Sequence, residues 1–196
     1  IGAGLWVYLV RIWPADGLFP SGVILEYDLD CIDPRYAEKL AYPGFRGGTI
    51  AIQEPGDARL RALYASCRKP HGQGADAMRA ADAVFAERAD SPYRRPNVLL
   101  LCGDQIYADD VPRALAEEMT TLGEAVTGGR ELLPPPRRRR RSRGETLEGE
   151  GFSSQQMDNH LRRFGEFCAA YLMAWNPDLW SPAAEAAYPE YFAGAA

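Results

Sequence analysis

The six residues Asn97–Cys102 (NVLLLC) constrain the fold of this chain most. They are nearly all apolar, lie between Pro96 and the turn Gly103-Asp104, and are too few for a helix. That is the pattern of a strand covered on both faces, as in parallel sheets. A parallel neighbour needs a crossover of a dozen or more residues, and the upstream sequence provides one. Leu60–Ala65 reads as a short strand and Ser66–Gly74 as a loop. Ala75–Ala89 reads as a helix with Met78, Ala81 and Phe85 on one face, after which Pro92 and Pro96 break the chain. Strand, helix and strand make a right-handed βαβ unit, so the fold class is α/β.

Residues 1–58 have a different texture. Leu5–Ile12, Val23–Tyr27 and Thr49–Gln53 read as strands among turns rich in Pro and Gly, which predicts a small β-rich accessory region. Its first residue, Ile1, opens directly into strand-like sequence, so its N-terminus is expected to be truncated. Residues 59–196 then form the second region. Within it, a helix over Pro112–Leu122 is expected to stop at Gly123, and residues 124–151 to form a mobile, solvated loop. That loop contains Pro134–Pro136, the basic run Arg137–Arg143 and then Glu145, Glu148 and Glu150. Ser153 with Gln156 reads as the capping box of a long helix with Leu161, Phe164, Cys168, Tyr171, Leu172 and Trp175 on one face.

Of the 196 residues 46% are hydrophobic, enough for a packed core, and the net charge of −5 argues against nucleic acid as a specific partner. No apolar run reaches the roughly 18–20 residues of a membrane span. The four cysteines, Cys31, Cys67, Cys102 and Cys168, have neither CxxC nor zinc-finger spacing.

The chemistry collects at the strand ends. Loops 66–74 and 103–110 both leave the carboxyl ends of their strands, where open α/β sheets place ligands. They carry Cys67 and the turn Gly103-Asp104-Gln105-Ile106-Tyr107. Deprotonated, a thiol, a carboxyl and a phenol are all anions, and they converge only around a highly charged cation. Asp104 as a turn cap with Tyr107 as a packing residue is the structural alternative, as is Cys67 as a small buried hydrophobe. Arg68, Lys69 and His71 beside Cys67 lower a thiol pKa and suit a ligand or a nucleophile. Asp109 and Asp110 read as caps of the following helix, and His160 as a surface residue.

SCRKPHG at 66–72, GDQIYADD at 103–110 and FGEFCAAYLMAWNPDLWSP at 164–182 together resemble the PhoD-like alkaline phosphatases of the metallophosphoesterase superfamily. The resemblance covers roughly Arg59–Pro182. It implies the first half of an α/β/β/α sandwich, preceded by a small β-rich region. It also implies a dinuclear metal centre, Fe(III) with Ca(II) or another divalent cation, held in part by Cys67, Asp104 and Tyr107. The implied reaction is hydrolysis of phosphate mono- or diesters, with Arg68 the candidate to stabilise charge on the phosphoryl group. Members of the family carry a further Asp-Asp-His segment that is absent through Ala196. The expectation is therefore an N-terminal half, inactive without the rest of its domain. A thiol or redox protein using Cys67 and Cys102 is one alternative, and a non-catalytic remnant or binding protein the other.

Overall fold

The computed structural model describes residues 7–29, 39–57, 59–132 and 160–192. These form a mixed α/β structure with two sheets of two strands each and no closed barrel among the described residues. They gather into two compact units. A sheet unit takes residues 10–66 and 77–102, and a helical unit takes residues 7–9, 67–76 and the chain from 103 onward.

In the sheet unit, β1 (Val23–Tyr27) pairs antiparallel with β2 (Gly48–Ile52). Further along, β3 (Ala62–Ala65) is followed by helix α1 (Ala77–Glu87) and then by β4 (Val98–Leu101). β3 and β4 run parallel with Ala65 opposite Leu101, as a βαβ unit requires. The register continues beyond the strands, for the Cys102 amide donates to the Ala65 carbonyl at 2.9 Å. Arg95 ties the two sheets within this unit. Its guanidinium donates to Thr49 Oγ1 at 2.6 Å and lies against the rings of Tyr42 and Phe85. Tyr42 is stacked on Phe85 and donates to Asp82 at 2.8 Å; burial first, then that bond, pushes its phenol up to about 12.

Two expectations about strands fail. Residues 7–12 of the expected first strand form no strand, and Val7, Tyr8, Leu9, Val10 and Ile12 are exposed. An extended segment without a neighbouring strand has no partners for its backbone groups. β4 is also not covered on both faces, since Leu99 and Leu100 are exposed. These two are successive residues and point to opposite faces, so a two-stranded sheet leaves part of each face open.

The helical unit is built on α2 (Arg113–Thr127) and α3 (Phe164–Trp175), followed by a short 3₁₀ turn (Pro177–Leu179), α4 (Pro182–Ala187) and α5 (Pro189–Phe192). Leu115, Met119 and Val126 of α2 repeat at helical spacing and are buried; Leu115 and Met119 pack with Ala169, Ala170 and Met173 of α3. Trp180 closes this core, its indole donating to the Met173 carbonyl at 2.9 Å. Ser181 caps α4 by accepting the Ala184 amide, and its hydroxyl is bonded to Glu118.

α2 does not stop at Gly123. It runs to Thr127 and ends at Gly128, which takes the left-handed conformation (φ 80°) of a helix C-terminus. Gly123 lies inside the helix, at a point where a side chain has no room. A Cβ on Gly123 would meet the Gly165 carbonyl carbon at 2.5 Å, and one on Gly165 would meet the Gly123 oxygen at 2.6 Å. The two backbones touch at the crossing.

α3 starts at Phe164, and residues 160–163 are not helical. The buried Glu166 carboxylate accepts the amides of Arg162 and Arg163 at 2.7 and 3.1 Å, the Arg163 guanidinium at 3.0 Å and the Thr120 hydroxyl at 3.2 Å. A reach back from the third helical residue fixes the start of a helix. The expected caps Ser153 and Gln156, the Arg137–Arg143 run and Cys31 lie outside the described residues.

Candidate metal centre

Cys67, Asp104 and Tyr107 all belong to the helical unit and lie on its two strand-end loops. A backbone bond joins these loops, the Arg68 amide donating to the Asp104 carbonyl at 2.9 Å. The turn carrying Tyr107 is anchored on both sides. Ile106 and Ala108 pack against the helical core, and the Ala108 carbonyl accepts the Leu161 amide at 2.7 Å.

The Tyr107 hydroxyl hydrogen-bonds the side chain of Cys67. That bond, then burial, then the charges of Cys67, Asp104 and Asp109 push the phenol up to about 12. Each of these influences disfavours a phenolate, so the phenol keeps its proton. Cys67 and Asp104 are exposed, and Tyr107 is half-buried.

Among the described residues no three His, Cys, Asp or Glu side chains gather closely enough to hold a metal ion between them. The expected set brings two such groups and a phenol. Carboxylate and phenolate oxygens with a thiolate suit a small cation of high charge, and such a cation reverses the repulsion that raises the Tyr107 pKa. The donor chemistry therefore fits one side of a metal centre.

Arg68 is held away from solvent. Its Nε and Nη2 donate to the Asp76 carboxylate at 3.1 and 2.5 Å, and its guanidinium lies 4.9 Å from the centre of the Trp175 ring. Its side chain is 9% exposed and that of Asp76 8%. Arg68, Tyr107, Met119, Met173 and Trp180 help line a mainly apolar pocket in this unit.

Asp110 is not a helix cap. Pro112 occupies the N-cap of α2 with no side-chain hydrogen bond, and the Asp110 carboxylate binds Lys69 and, at 3.0 Å, His71 Nε2. Those two hydrogen bonds draw its pKa down to about 2. Lys69 also lies 5.2 Å from the centre of the Tyr107 ring. This Lys69–Asp110–His71 group is the part of the site that sequence reasoning missed; Asp110 reads as a cap because it is two residues before Pro112.

His160 is buried, not on the surface, because Leu161 beside it enters the core. Cys67 and Cys102 are both exposed, and neither forms a disulfide among the described residues. No family model matches the chain, and no curated protein or solved structure matches it significantly.

Proposed function

We propose that Cys67, Asp104 and Tyr107 hold one side of a dinuclear metal centre, Fe(III) with Ca(II) or another divalent cation, that hydrolyses phosphate mono- or diesters. The observation that carries this reading is the Tyr107–Cys67 hydrogen bond, with Asp104 contributing charge to the same phenol. Three groups whose deprotonated forms repel one another share one pair of loops, and a cation removes the conflict. When bound, the metals supply positive charge for the phosphoryl oxygens and a water acidic enough to attack at neutral pH.

The chain's own residues supply the placement. The Arg68–Asp104 backbone bond fixes the spacing of the two loops, and the packing of Ile106 and Ala108 orients the turn that presents Tyr107. The resemblance of SCRKPHG and GDQIYADD to the PhoD-like phosphatases points to the same three residues.

The test is ferric binding by the full chain, followed through the visible charge-transfer absorption of a phenolate–iron(III) pair. The wild-type chain is expected to develop this band at neutral pH, Tyr107→Phe to lose it, and Asp104→Ala to bind iron at least about tenfold more weakly. A wild-type chain without the band, or a band that persists in Tyr107→Phe, refutes the assignment.

A further inference from the structure

We propose that Lys69, not Arg68, is the cation that grips the phosphoryl oxygens of the substrate, and that Arg68 is a positioning residue. This inference rests on the metal-centre reading above. A phosphate ester near Cys67 and Tyr107 needs donors that can turn toward it, and two neighbouring cations offer themselves.

The donors of Arg68 are directed inward. Two of its nitrogens are on Asp76, its flat face is against Trp175, and its side chain is 9% exposed. To reach a substrate it would have to give up both bonds to a carboxylate as buried as itself. Its backbone amide is already engaged in joining the two loops.

Lys69 has the opposite properties. Its side chain is 35% exposed, and its ammonium lies beside the ring of a proposed metal ligand, Tyr107. Its carboxylate partner, Asp110, is 36% exposed, so their attraction is screened by water and readily exchanged. An ammonium has three donors and can keep one on Asp110 while turning another to a phosphate oxygen. If it leaves Asp110 altogether, the carboxylate, 36% exposed, is solvated by water and still has His71 Nε2 at 3.0 Å. The Asp110 carboxylate thus holds Lys69 over Tyr107 until a more highly charged anion arrives.

The experiment titrates inorganic phosphate into the ferric-loaded full chain and reads the perturbation of the charge-transfer band. Wild type, Lys69→Met and Lys69→Arg are compared. Lys69→Met is expected to bind phosphate about tenfold more weakly or worse, the loss of one hydrogen bond to a charged group. Lys69→Arg keeps the charge and is expected to stay within a few-fold of wild type, and the band is expected to form before phosphate in all three. Equal phosphate affinity in wild type and Lys69→Met, with the band intact, overturns the inference and leaves the metal centre standing. An affinity in Lys69→Arg as low as in Lys69→Met also overturns it, since the charge then does not matter. If the wild-type band never forms, the metal-centre reading itself fails and the role of Lys69 falls with it.

Discussion

The Tyr107 phenol is pushed up to about 12, first by its hydrogen bond to the Cys67 side chain, then by burial and by the charges of Cys67, Asp104 and Asp109. In the metal-free chain its ultraviolet phenolate signal is expected to appear well above the ordinary tyrosine range of about 10. Replacing Cys67 with Ala removes the largest cause and is expected to bring that titration down toward the ordinary value. Asp110 shifts in the other direction, from 3.8 to about 2, through its bonds to Lys69 and His71. A carboxyl with a depressed folded-state pKa stabilises the fold above its unfolded pKa, and that contribution is lost as pH falls through the folded value. Stability is therefore expected to decline between about pH 4 and pH 2. Asp110→Asn is expected to flatten that part of the curve in acid unfolding followed by circular dichroism. At the residue scale the two groups respond to opposite ends of the pH range, although they are three positions apart on one turn.

Between elements, α2 and α3 cross in backbone contact at Gly123 and Gly165. Gly123→Ala gains about 1 kcal/mol of helix propensity but inserts a carbon against backbone that cannot yield, at a cost of about 1–3 kcal/mol or more. The cost wins, and at roughly 2–4 °C per kcal/mol the melting temperature is expected to fall by a few degrees. A thermal melt in which Gly123→Ala gains stability contradicts this packing. The same position explains one limit of sequence reading. Glycine is a sound stop signal when the chain leaves the helix, as at Gly128, but it is also the residue that permits close approach. Only the partner helix distinguishes the two cases. β1, β2, β3, α1 and β4 were legible within a few residues, because alternation, apolar runs and proline breaks are local. The parallel pairing of β3 with β4 was legible from their connection. The start of α3 was not, because Glu166 fixes it by reaching back to Arg162 and Arg163. At the site, Cys67, Asp104 and Tyr107 could be picked out by residue type and loop position. The bond from Lys69 to Asp110 could not, since 41 positions separate them.

At the scale of the whole molecule, no described helix is long and apolar enough to cross a membrane. The described surface nevertheless exposes a run of apolar residues over Val7, Tyr8, Leu9 and Val10, more than the scattered single side chains expected of a protein surface. The chain is expected to bind a dye that reports hydrophobic surface in native buffer. Replacing Val7 and Leu9 together with Ser is expected to lower that signal with little change in melting temperature, because neither side chain is packed. An unchanged signal places the apolar surface elsewhere. The contact between Gly123 and Gly165 has a consequence over evolutionary time as well. Neither position can change first without pushing two backbones apart, and changing both together is worse. Selection on folding alone then preserves the pair, whatever the chain catalyses. A distant relative that has lost Cys67 or Tyr107, and the reaction with them, is expected to keep two glycines at this crossing and to be traceable by them.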